Sequence, residues 1–96
     1  MASFLMLAHF TDQGINNIKE SPNRLKQFKD ICKKEGAELS SYHMLLGKYD
    51  IACLIEAPNP QVIAKIALIL GTRGNIRTET MPAFNANELA DIINKL

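Results

Sequence analysis

The first ten residues set the pattern. Ser3 to Phe10 is a continuous apolar run of strand length in which His9 is the interruption, and such runs predict a strand covered on both faces. Thr11-Asp12-Gln13-Gly14 punctuates it. Ile15 and Ile18 predict a helical turn, and Ser21-Pro22 then reads as an N-cap followed by proline at the first helical position. The main helix carries Leu25, Phe28, Ile31 and Cys32 on one face and stops at Gly36. Glu38 to Leu46 reads as a second strand, Gly47-Lys48 as a tight two-residue turn, and Tyr49 to Glu56 as a third strand, so that the two strands form a hairpin. Ala57-Pro58-Asn59-Pro60 breaks the chain and caps a second helix, apolar at Val62, Ile63, Ile66, Ala67, Ile69 and Leu70. Gly71 to Gly74 ends that helix. Asn75 to Phe84 alternates as a fourth strand, and Asn85 or Asn87 caps a short terminal helix with Leu89, Ile92, Ile93 and Leu96.

This order predicts an α+β fold of the ferredoxin-like βαββαβ type with an extra C-terminal helix, residues 1–96 forming one domain. Right-handed crossovers place the strands in the order 4-1-3-2, antiparallel, with both main helices on one face. The other face should then be polar. It is not: Phe4, Met6 and Ala8 alternate with Leu5 and Leu7 on strand one, and Ile51, Cys53 and Ile55 with Ala52 and Leu54 on strand three. Two helices hide one face, and the terminal helix is too short to hide the rest. A monomer rarely exposes such a patch, so the expectation is self-association, sheet against sheet, as a homodimer or higher oligomer.

Composition removes several function classes. With 96 residues, 47% apolar and 22% charged, the chain buries roughly 60–70% of its unfolded surface, enough for a core without metal or disulfide staples, and disorder is excluded. Eleven basic against ten acidic residues give a net charge of +1, so nucleic acid is not an expected partner. The longest apolar run, Val62 to Leu70, is broken by Lys65, so no membrane span is expected. The start of the sequence lacks the basic and small-residue features of a signal peptide. Cys32 and Cys53 have no metal-ligand or redox spacing and fall at apolar positions. They read as buried hydrophobes in a cytoplasmic protein, with no metal and no cofactor expected.

Several stretches resemble the GYD-domain family. Gly47-Lys48-Tyr49-Asp50 resembles its signature, Phe10-Thr11-Asp12-Gln13-Gly14-Ile15 and Lys19-Glu20-Ser21-Pro22-Asn23-Arg24 its first loop and helix start, and Glu56-Ala57-Pro58 and Gly74 to Thr80 its later segments. The likeness runs in order from about Phe4 to Leu96. It implies membership of the dimeric α/β-barrel group, whose ferredoxin-like subunits pair their sheets around an enclosed space. Relatives in that group include small monooxygenases, decarboxylases, isomerases and the effector-binding domains of bacterial regulators, so the resemblance sharpens the fold more than the function.

The candidate chemistry is sparse. Tyr49 can lay its ring on the sheet and extend its hydroxyl to a ligand, while Asp50 can accept backbone N–H bonds; the plainer reading of both is a braced turn. Arg77 and Glu79 share a face of strand four with Met81, on the side away from the helices if Ile76 faces them. There they would read an anionic or polar ligand, or else form an ion pair across a dimer or stand on a solvated edge strand. His9 and His43 each suit a general base. With strand three between their strands, and strands one and two read as antiparallel, they fall at opposite edges of the sheet and cannot share a metal. Lys19, Arg24, Lys26, Lys29, Lys33 and Lys34 crowd the first helical segment, but Glu20, Asp30 and Glu35 dilute them into a solvated face. No nucleophile elbow, zinc-protease, P-loop or dinucleotide motif is present. Three functions stay open. The leading one is a small oligomeric protein binding a small molecule between paired sheets. The others are a cofactor-free monooxygenase- or isomerase-like enzyme using His9, His43, Tyr49 or Asp50, and a purely structural or interaction module.

Overall fold

A computed structural model describes residues 1–96. The elements are β1 (Ala2–Phe10), α1 (Asp12–Asn16), a 3-10 turn (Ile18–Glu20), α2 (Ser21–Lys34), β2 (Glu38–Met44), β3 (Ile51–Ala57), α3 (Pro60–Thr72), β4 (Ile76–Ala83) and α4 (Ala86–Asn94). The sheet order is β2-β3-β1-β4, every pair antiparallel. This is the expected 4-1-3-2 arrangement read from the other edge.

Alternation along the two central strands sorts their side chains. Phe4, Met6 and Ala8 of β1 and Ile51, Cys53 and Ile55 of β3 are buried beneath the helices, where Phe28 and Cys32 of α2 and Ile63, Ile66 and Leu70 of α3 complete the core. Asn59 caps α3 by accepting from the Val62 N–H at 2.9 Å, with Pro60 in its first turn. Gly36 and Ala37 close α2 by donating back to Lys33 and Cys32. Helix α2 begins one residue earlier than expected: Ser21 is already helical, Glu20 occupies the cap position, and no side chain caps it. Both cysteines are free and buried; burial pushes the Cys32 thiol up to about 11 and the Cys53 thiol up to about 12.

Three expectations need correction. The hairpin between β2 and β3 does not turn at Gly47-Lys48. Strand β2 ends at Met44, and a six-residue connection, Leu45 to Asp50, precedes β3. Gly47 at φ 136° lets the backbone swing out, Leu46 is 92% exposed, and Tyr49 and Asp50 belong to this connection and not to a strand. Second, β1 and β2 both run antiparallel to β3 and are therefore parallel to each other, which places His9 and His43 at the same end of the sheet. Third, Asn85, not Asn87, caps α4, in a capping box with Glu88. That helix shelters nothing: none of its residues is buried, and Ile92 and Ile93 are 47% and 53% exposed.

The short helix α1 is locked onto the entry of β4. The Thr11 N–H donates to the Asn75 carbonyl at 3.0 Å, the Thr11 hydroxyl to the Gly74 carbonyl at 2.5 Å, and the Gln13 amide to the Arg73 carbonyl at 2.9 Å. Gly14 packs so closely here that a Cβ would overlap the Asn75 carbonyl. Gly14→Ala should therefore cost about 2–3 kcal/mol, read as a lowered midpoint in urea unfolding; an unchanged midpoint would show that this contact yields freely.

Candidate functional site

The sheet face away from the helices is lined by Leu5 and Leu7 of β1, Ala52 and Leu54 of β3 and Met81 of β4, which the pairings Leu5↔Leu54, Leu5↔Met81 and Leu7↔Ala52 bring side by side. All five are only partly buried. No other element covers them, because α2 and α3 lie on the opposite face and α4 buries nothing.

Polar groups collect at the two ends of this apolar strip. At one end the Ser3 hydroxyl bonds to both carboxylate oxygens of Glu56, at 2.9 and 2.7 Å, with Glu38 across the ladder from Glu56. At the other end stand His9, paired with Arg77, and Glu79, paired with Leu7. Tyr49 joins them. Its ring stacks on His9, centroids 4.8 Å apart at 28°. Its hydroxyl donates to Glu79 Oε2 at 2.6 Å, and Lys48 Nζ lies 5.5 Å from its ring centroid. The tyrosine thus straps the β2–β3 connection across the end of β1 to the edge strand β4. The strap is anchored by Asp50, whose backbone N–H donates to the Ala8 carbonyl at 2.9 Å and whose Oδ2 accepts from the Phe10 N–H at 2.9 Å.

The structure therefore brings together four of the residues singled out in the sequence: His9, Tyr49, Arg77 and Glu79. Asp50 ties the connection to β1 through its side chain and N–H, and its carbonyl closes the turn by accepting from the Leu45 N–H at 2.7 Å. His43 pairs with Ala52 and so shares the open face and the same end. It lies two strand spacings from β1, about 10 Å, and is exposed. No cluster of three or more metal-ligating side chains occurs, and no helix is long and apolar enough to cross a membrane.

The Glu79 carboxylate, by accepting the Tyr49 hydrogen bond and by its negative charge, pushes the Tyr49 phenol above its ordinary range. At neutral pH Tyr49 holds its proton and is a fixed donor, suited to orienting a polar group and poorly suited to proton transfer.

A cavity of about 320 Å³ lies on the other side of the sheet, where sequence reasoning placed nothing. Its floor is Met6, Ala8, Ile51 and Cys53, and α2 and α3 flank it with Phe28 and Leu70. Arg24, Tyr42 and Arg73 line it as well. Burial raises the Tyr42 phenol, the neighbouring Cys53 thiol adds to the rise, and the positive charge of Arg24 opposes it. The one trace of this site in the sequence was Arg24 among the basic residues of the first helical segment.

The profile of the GYD domain matches residues 4–93. A protein of Thermus thermophilus named glutamine synthetase and cystathionine beta-lyase binding protein is 29% identical over 97 residues, which cover 100% of this chain and 99% of that one. Among solved structures, a feast or famine regulatory protein of M. tuberculosis complexed with L-methionine superposes with a TM-score of 0.66 at 15% identity, over 90% of this chain. The chain spans only 52% of that regulator. A solved structure from Thermus thermophilus superposes with a TM-score of 0.55 at 20% identity, over 90% of this chain and 96% of its own. These likenesses establish the ferredoxin-like α+β fold.

Removing the Glu79 charge should release Tyr49. In a spectrophotometric titration both tyrosines should ionise above the usual value of about 10, and Glu79→Gln should bring one of them back toward it. Because the folded-state value is raised, the stability contributed by the Tyr49–Glu79 bond is complete below the unfolded value and disappears as pH climbs through the folded one. A titration identical in the variant would mean that the bond does not form in solution.

Proposed function

The chain belongs to the GYD-domain family, and from that premise we propose that it is a non-catalytic binding subunit that pairs with a second copy through its open sheet face and holds a small polar molecule at the rim of the pairing. The observation that carries this reading is the strip Leu5, Leu7, Ala52, Leu54 and Met81, an apolar surface on the two central strands and β4 that the chain's own helices leave uncovered. Leu5, Leu7, Leu54 and Met81 are already partly buried, so a second sheet closing over them gains for each a fraction of the about 1.5–3 kcal/mol that full burial of such a side chain gives.

Charge supports one orientation. Glu38 and Glu56 make one end of the strip acidic, while the other is mixed, with Lys48 and Arg77 beside Glu79. A two-fold axis running across the strands reverses their direction and keeps the two acidic ends apart, each on the partner's mixed end. The ligand site is then the cluster His9, Tyr49, Arg77 and Glu79, with a fixed hydroxyl donor, a carboxylate acceptor and a guanidinium. Such a set reads a polar molecule carrying both an anionic and a donor group. The regulator crystallised with L-methionine lends this class of ligand support through the shared fold alone. Tyr49, which keeps its proton, acts in this cluster as a donor and not as a base.

A second reading has its own support. The relative is named for binding two enzymes, and Leu89, Ile92 and Ile93 give α4 an exposed apolar side. Docking on another protein through α4 is compatible with pairing through the sheet.

Sedimentation at micromolar concentration should return a dimer or higher oligomer, and Leu7→Lys should weaken association by about 3 kcal/mol while leaving far-UV circular dichroism unchanged. In a thermal-shift screen of amino acids and other small zwitterions, Arg77→Ala should lose the stabilisation that the unmodified chain shows. A monomeric chain would end the pairing proposal, and an undiminished ligand response in Arg77→Ala would end the ligand-site proposal.

A further inference from the structure

The cavity on the helix side of the sheet is independent of the rim cluster, since the two lie on opposite faces of β1. Its floor comes from the helix-facing row of β1 and β3, and Leu25 and Phe28 of α2 and Leu70 of α3 wall it. At about 320 Å³ it falls within the range of small-molecule sites. Ten of its fifteen lining residues are hydrophobic.

The charged groups are of one sign. Arg24 and Arg73 line the cavity, and no aspartate or glutamate does. The single ion pair of the chain, Lys65 with Glu35 at 2.8 Å, involves neither arginine. Arg24 donates to the Asn17 carbonyl at 2.8 Å and Arg73 to Gln27 Oε1 at 2.9 Å. Each guanidinium carries five N–H donors, so these neutral acceptors orient both side chains and leave donors and the full positive charge free. Ser21, Tyr42 and Asn75 add hydroxyl and amide groups to the same lining.

We propose that this cavity binds an amphiphilic carboxylate, with its hydrocarbon body on the Met6, Ala8, Ile51 and Cys53 floor and its carboxylate between Arg24 and Arg73. Guanidinium forks match a carboxylate in shape as well as charge. An uncharged ligand would forgo both guanidiniums, and a cationic one would be repelled.

The test is isothermal titration of the intact chain with hexanoate, octanoate and decanoate, with octan-1-ol and n-octylamine as controls. The acids should bind, each added methylene tightening the complex about fourfold. The amine should not bind, and the alcohol should bind more weakly than octanoate. Arg24→Gln combined with Arg73→Gln should weaken octanoate about tenfold or more and leave octan-1-ol unchanged. Methyl NMR should move Ala8, Ile51 and Leu70 and leave Leu5, Leu7 and Leu54 in place. Equal binding of acid and amine, insensitivity to the arginine substitutions, shifts confined to the open face, or no binding of octanoate would each overturn the proposal. Because the acid–amine comparison uses the unmodified chain, the proposal stays testable if the double variant misfolds. Shifts at Leu5 and Leu7 would instead point to the sheet-face ligand site.

Discussion

A sheet whose central strands are apolar on both faces, beneath helices that cover only one, is the constraint from which the rest of this molecule follows. On the covered side Met6, Cys53, Ile55 and Ile66 have almost no exposure, and close packing there supplies the core. On the other side leucines of the same strands are only partly buried. Neither a polar substitution nor a further helix relieves that surface: α4, the one element left to do so, buries none of its residues. No element of the chain covers that strip, whose ends differ in charge, acidic at Glu38 and Glu56 and mixed at Lys48, Arg77 and Glu79.

The polar groups follow the same geometry. A continuous apolar strip leaves room for charge only at its ends, so His9, Tyr49, Arg77 and Glu79 gather where β1 stops. Asp50 holds that end in register through the Phe10 and Ala8 backbone. Asp50 braces the connection against β1, and the Tyr49 hydroxyl is fixed by Glu79. The cavity between α2 and α3 is a separate product of the fold, floored by Met6, Ala8, Ile51 and Cys53.

Much of this was legible in the sequence, because period-2 alternation and turn residues act locally. The element order, the strand order, the sidedness of Phe4, Met6 and Ala8 against Leu5 and Leu7, and the common face of Arg77 and Glu79 all follow from it. The β2–β3 connection did not, since Tyr49 has strand propensity and Gly47-Lys48 has the composition of a short turn. What pulls Tyr49 and Asp50 out of the ladder is a set of bonds to β1 and β4, some 30 to 40 residues away in sequence. The histidines were misplaced for a different reason: two antiparallel pairings in succession make β1 and β2 parallel, a step the expectation omitted. Arg24 and Arg73 line one cavity only because α2 and the end of α3 pack over the same strands, and no spacing along the chain encodes that.

Strand β1, the first element of the chain, lies between β3 and β4, with Ser3 opposite Ala83 and Phe10 opposite Ile76. One whole side of its backbone ladder therefore waits on the last strand. Within this domain both edges of β1 are paired only once β4, the last strand, has docked. Closure of so wide a loop is entropically slow. The early punctuation by Thr11 to Gly14, which later grips the entry of β4, is then also the clasp that draws the two distant ends of the polypeptide together.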